Sequence, residues 1–172
     1  MKLVASRKVN YTVIILAVLL LSAVTYYFTV YNSVNKTIIE THAFYKVFDS
    51  EETMFNQADA VIIGSTNQNF DDRKHVTTTF ASTGATQDFY TITNVQVDKI
   101  LKGDVLINQT LQVGEPISYD QTLTGKSIIT REGYKELKAG SKYLLFLKKN
   151  RQGLYFVMTA ELGKYNVDNS DP

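Results

Sequence analysis

Hydrophobic and polar positions divide this chain into two regions with different rhythms. From Thr12 to Tyr31 the residues TVIILAVLLLSAVTYYFTVY run without a single charge. Twenty helical residues rise about 30 Å, the thickness of a bilayer's hydrocarbon, so the run predicts a transmembrane helix. A core helix of a soluble protein would be shorter and would keep a polar stripe, which this run lacks. Past Tyr31 the pattern breaks into short apolar stretches separated by Gly, Asn, Asp and Pro, the punctuation of strands and turns.

The flanks of the apolar run set its orientation. Lys2, Arg7 and Lys8 precede it, whereas the first charges after it are Lys36 and Glu40, so the positive-inside bias places the N-terminus in the cytoplasm and the rest outside the cell. Tyr26, Tyr27, Phe28 and Tyr31 gather at the outer end, where amphipathic rings suit the headgroup region. A cleaved secretory signal shares the basic start and apolar core. The nearest small-residue site, Leu21-Ser22-Ala23, is followed by further apolar and aromatic residues, which favours a retained anchor.

The outer region predicts one helix and then strands. Asp49-Ser50-Glu51-Glu52 is a capping-box pattern in which Asp49 or Ser50 caps and a glutamate reaches back, opening a helix through about Ala58 with Met54, Phe55 and Ala58 inward. Glu51 and Glu52 therefore belong to a helix N-terminus rather than to catalysis. Residues 32–48 have no clean period and are expected as a spacer and stalk. Ala60 to Gly64 is a short apolar run that suits a strand buried on both faces. Ser65 to Gln87 is polar, and its tract Thr77 to Thr79 allows a hairpin arm or a plain loop.

Phe89 to Leu101 is the longest strand signal and changes phase along its length. Tyr90 and Ile92 share one parity, Val95 and Val97 the other, with Asn94, Gln96 and Asp98 facing away from the valines. Keeping both apolar pairs on one face needs an extra residue, so a β-bulge or sharp coil is expected near Thr93-Asn94. Shorter strands are expected at Thr110 to Gly114, Ser127 to Arg131, Lys142 to Lys148, Leu154 to Thr159 and Tyr165 to Val167. In Lys142 to Lys148, Tyr143, Leu145 and Leu147 alternate with Leu144 and Phe146, so both faces must be covered. A sheet closed on itself, with the helix Ser50 to Ala58 as a lid, satisfies this.

Composition narrows the compartment. The chain has no Cys, so a disulfide framework and a lipid-modified Cys are both excluded, and an exported Cys-free domain points to a bacterial, Gram-positive surface. Outside the N-terminal tail the chain carries 15 basic and 17 acidic residues, which argues against nucleic acid as a partner. Residues 126–172 are nonetheless net basic, with 9 basic and 5 acidic groups. Lys135, Lys138, Lys148, Lys149 and Arg151 are the candidate binding residues, forming a basic face for an anionic wall polymer, a lipid headgroup or a protein partner.

Three stretches together resemble a known group of proteins. They are Gln57-Ala58-Asp59-Ala60-Val61-Ile62-Ile63-Gly64, the alternating strand Val95 to Gly103 ending in Lys-Gly, and the Leu137 to Leu147 segment with its Tyr-Leu-Leu-Phe-Leu run. This chain resembles the small membrane-anchored or lipoprotein-like extracytoplasmic proteins of Bacillus and its relatives over roughly residues 50–165. The resemblance implies an OB-type barrel like that of netrin modules and metalloprotease-inhibitor domains, and it brings no catalytic residues. The expected fold is therefore mainly β, with one N-terminal transmembrane helix followed by a small closed or partly open OB-like β-barrel and one short packing helix. Its expected divisions are a cytoplasmic tail (1–11), the span (12–31), the spacer (32–48), the barrel (49–168) and a frayed C-terminus (169–172).

Motifs for chemistry are missing. There is no Gly-x-Ser-x-Gly, no His-Glu-x-x-His, no phosphate-binding glycine loop, and only two His. His75 with Asp71 or Asp72 offers a triad or metal set only in outline, and Asn166, Asp168, Asn169 and Asp171 lack the glycine and closing glutamate of a calcium loop. No catalytic residue, metal or cofactor is expected. A membrane-anchored interaction module is the preferred reading, ahead of a role in assembly through the membrane helix and of a surface hydrolase.

Overall fold

The structure, a computed structural model, describes residues 11–41, 48 and 50–171, without the side chains of 35–37. The basic tail, residues 42–47 and the candidate cap Asp49 lie outside the described residues. Helix α1 (Tyr11–Tyr26) continues into a wider π turn (Tyr27–Tyr31), and no residue of this segment is buried against protein. By length and composition it is able to cross a membrane. Its hydroxyls are internally satisfied, with Ser22, Thr25 and Thr29 each donating to the carbonyl four residues back at 2.8 Å. That removes the cost of carrying bare hydroxyls into lipid.

Five strands close into a barrel. They are β2 (Ala60–Ser65), β4 (Thr86–Lys102), β5 (Thr110–Glu115), β8 (Lys142–Lys149) and β9 (Tyr155–Val157), joined in the ring β2-β4-β5-β9-β8-β2. All neighbours are antiparallel except β5 and β9, which are parallel. The interior is filled by Ala60, Ile62, Val95, Val97, Val113, Tyr143, Leu145 and Leu147, all at most 1% exposed. Helix α2 (Glu51–Gln57) starts at Ser50, whose Oγ accepts from Thr53 N at 3.2 Å. Its Met54, with Ala58, covers Val61 and Phe146 on the outside of the barrel, the lid that the two apolar faces of β8 require.

Outside the ring, β3 (Lys74–Thr79) forms a hairpin with the first half of β4, and β10 (Lys164–Asn166) lies beside β8. A second sheet is made of β1 (Val34–Thr41), β7 (Gly125–Arg131) and β6 (Ile117–Thr122), with β1 parallel to β7. Part of the expected spacer is thus a strand. The C-terminal residues, expected to fray, are tied down: Asp168 accepts from Lys142 N at 2.9 Å, and Asp171 accepts from Tyr143 OH at 2.6 Å and pairs with Lys138 at 2.5 Å.

The bulge expected at Thr93-Asn94 does not occur. Residues 91–96 pair with 115–110 in unbroken register. Extra residues fall instead at Leu101 and Asp98 against β2, and at Gln87 against β3. Phe89, Thr91, Thr93, Val95 and Val97 all face inward, and Tyr90 and Ile92 face out. Two threonines take the interior because polar partners wait for them: Thr91 Oγ1 donates to Ile117 O at 2.6 Å, and Thr93 Oγ1 donates to the Glu115 carboxylate.

Candidate functional site

One end of the barrel is closed by a buried ion pair. The side chains of Arg73 and Glu115 are 1% and 0% exposed and meet at 2.8 Å. Glu115 also accepts from Thr93, from Tyr134 OH at 3.0 Å and from Leu137 N at 2.7 Å. Burial pushes its carboxyl up while the Arg73 guanidinium opposes the shift. Every neighbour is a donor, which is the arrangement a carboxylate needs. Burial, with Glu115 beside it, holds the Tyr134 phenol far above its ordinary range, so it stays a donor.

Arg73 has a second task. Its Nε and Nη2 donate to Gln68 O at 3.2 and 2.8 Å, and Nη2 also donates to Leu137 O. The guanidinium therefore pins the loop between β2 and β3 against the barrel. Gln68 Oε1 in turn accepts from Asn94 N at 3.0 Å, locking that loop to β4.

The pinned loop forms one wall of a groove on the barrel's outer surface. Ser65 from β2, Asn67 and Gln68 from the loop, Asn94 and Gln96 from β4, and Thr110 from β5 line about 510 Å³ of open space. None of the six carries a charge. Register brings them together, since Gln96 pairs with both Ser65 and Thr110, and Asn94 pairs with Gln112. Thr110 Oγ1 donates to Gln96 Oε1 at 3.3 Å, while the Asn67 and Asn94 side-chain amides have no partner among the described residues. Further along the same face of β4, Tyr90 meets Phe156 edge to face at 5.2 Å, with Phe156 lying over Gly114. The surface is thus a row of amides beginning about 13 Å from an aromatic pair.

The five basic residues are divided. Lys135 and Lys138 belong to the loop before β8, and Lys138 is paired with Asp171. Lys148, Lys149 and Arg151 lie at the opposite end of β8, about 20 Å away along the strand. Lys148 pairs with Asp59 at 2.8 Å, and the Lys149 ammonium sits 4.7 Å from the Tyr155 ring. Lys148 holds Asp59 below its ordinary range through their hydrogen bond. Three of the five, Lys138, Lys148 and Lys149, thus have local partners, and the five are split between the two ends of β8 rather than gathered into one face.

His75 and its candidate carboxylates are each engaged with other partners. Its ring nitrogens contact Thr91 Oγ1 and Phe70 O, each at 2.9 Å, while Asp71 accepts from Tyr119 and Asp72 from Asn69 at 3.3 Å. Among the described residues no three His, Asp or Glu side chains are grouped to hold a metal. The sequence placed Asn94 and Gln96 away from Val95 and Val97, which is where they are. It had no signal that Asn67, Gln68 and Thr110 would join them, because that depends on which strands become neighbours. Comparison with known proteins finds no matching family, no matching curated protein and no matching solved structure.

Proposed function

We propose that this chain is a membrane-anchored extracytoplasmic binding module, without chemistry of its own, at the outer face of a Gram-positive plasma membrane. The uncharged amide groove carries this reading. Side-chain amides with free donors and acceptors, flanked by an aromatic pair, suit a neutral, hydroxyl- and amide-rich chain such as a wall glycan. An OB-type barrel is supported by the five-strand closure with its crossover from β5 to β8. Such barrels bind ligands on the face of their second and third strands and on the loop joining the first two. Those correspond to β4, β5 and the Asn67–Gln68 loop.

The test is retention of the full chain, in detergent, on insoluble bacterial wall glycan with and without its anionic polymers. Retention should survive their removal and fall about tenfold in the double variant Asn94→Ala, Gln96→Ala, since two lost hydrogen bonds are worth about 1–3 kcal/mol together. Lys135→Ala with Lys138→Ala should bind normally. Retention that disappears with the anionic polymers and with the lysines would instead favour an anionic ligand, and no retention on either material would refute the glycan reading.

A further inference from the structure

The β6–β7 turn lies against the outer end of the apolar helix. Tyr26 OH donates to Leu123 O at 2.5 Å, and Gln121 Nε2 donates to Tyr31 O at 3.0 Å. Lys126 closes the arrangement, with its N donating to Ser33 O at 2.8 Å and its Nζ to Asn32 Oδ1 at 2.7 Å. Tyr26 lies five residues, about 7 Å along the axis, inside the end of the helix at Tyr31. A helix that spans the hydrocarbon from Tyr11 to Tyr31 therefore carries the turn below the level of its own outer end.

The turn has the chemistry for that depth. Residues 121–125, Gln-Thr-Leu-Thr-Gly, are uncharged, and Leu123 is 76% exposed at the tip. Polar groups in the turn bond within it: Thr122 Oγ1 donates to Gly125 O at 2.9 Å and accepts from Thr124 N at 3.2 Å, and Gln121 Nε2 donates to Thr122 O at 2.8 Å. Lys126 follows at the level of Asn32, where an ammonium meets headgroups. Beside it the β3–β4 hairpin runs in the same direction, held by Thr77 Oγ1 to Tyr119 O at 2.9 Å. Its turn, residues 80–85, is also uncharged and exposes Phe80.

We propose that the β6–β7 turn is a second membrane contact, with Leu123 inserted among the lipids of the leaflet that Tyr26 to Tyr31 traverse. The helix and turn then hold the bilayer at two points and fix the barrel's tilt, where a single helix would leave it swinging. The inference rests on Tyr11–Tyr31 crossing the membrane, which one arm of the test addresses separately.

The chain contains no Trp, so single Trp variants of the full protein report their surroundings. Leu123→Trp, Leu106→Trp and Leu21→Trp are reconstituted into vesicles of phosphatidylcholine and phosphatidylglycerol. Leu106 is 68% exposed on the loop between β4 and β5 and serves as the solvent reference. Insertion predicts blue-shifted emission from Leu123→Trp, quenching by lipids brominated near the headgroup end and protection from aqueous iodide. Leu106→Trp should show the reverse, and Leu21→Trp should be quenched by lipids brominated near the chain ends. If Leu123→Trp behaves as Leu106→Trp while Leu21→Trp is lipid-quenched, the turn does not insert although the helix spans. Failure of lipid quenching at Leu21→Trp overturns the span and the insertion together.

Discussion

A carboxylate sealed from water survives only where donors surround it, and Glu115 meets that condition with Arg73, Thr93, Tyr134 and the Leu137 amide. Removing one partner strands the other charge. Arg73→Met or Glu115→Leu alone should cost about 3–5 kcal/mol, whereas the two together should cost much less, because no bare charge is left. Chemical denaturation in detergent, followed by tyrosine circular dichroism, measures both. Near-equal loss in the single and double variants would show that the pair adds nothing beyond volume. Buried acceptors also explain how the strand Phe89 to Leu101 departs from its apolar pattern: apolarity alone assigns Tyr90 and Ile92 inward, but the Ile117 carbonyl and the Glu115 carboxylate make Thr91 and Thr93 the better interior residues. No pattern of hydrophobic positions announces that Arg73 and Glu115, 42 residues apart, will meet.

At the other end of the chain, Asp168 is held down to about 2 by Ser170, Asn166 and the Lys142 and Ser170 amides. A carboxyl depressed in the folded state stabilises it above the ordinary value of 3.8 and loses that contribution as pH falls toward about 2. Protection of the Lys142 amide, its exchange relative to the free-chain rate at the same pH, should fall across that window, and Asp168→Asn should flatten the change. Unaltered protection at Lys142 down to about pH 2 would contradict the tether.

Among the elements, those defined by local pattern were legible. A helix capped at Asp49 or Ser50, the two-faced strand β8 and the lid relation between them all follow from spacing alone, and the structure selects Ser50 as the cap. Ser50→Ala should cost about 1 kcal/mol through the lost cap. Strand β6, Ile117 to Thr122, was not legible, because Ser118, Asp120 and Gln121 dilute its apolar signal and its partner β7 supplies the reason for its extension. The barrel's coil was foreseen in kind and misplaced in position. It forms where β2 crosses β4, and there a Cβ on Gly64 would lie 2.6 Å from Gln96 O and 2.7 Å from Val95 Cγ1. Gly64→Ala should therefore cost about 1–3 kcal/mol, read by the same denaturation, and should also loosen the groove that Gln96 lines. Full stability in that variant would show that β2 and β4 have more freedom than their contact implies.

Across the whole molecule, the account joins an apolar helix, a charge-balanced barrel and an uncharged groove into a tethered module. The helix was the plainest signal in the sequence because twenty uncharged residues need no tertiary partner to be read. The groove was the least visible, since its six residues come from three strands and a loop and have no common spacing. The span and its direction carry everything else, so the decisive measurement is accessibility of single cysteines introduced into this Cys-free chain. A membrane-impermeant maleimide applied to intact bacteria expressing Leu106→Cys should label it, and Ser6→Cys should label only after permeabilisation. Both proteins should stay with the membrane. Labelling of Ser6→Cys in intact cells, or recovery of the barrel in the medium without its helix, would contradict the account.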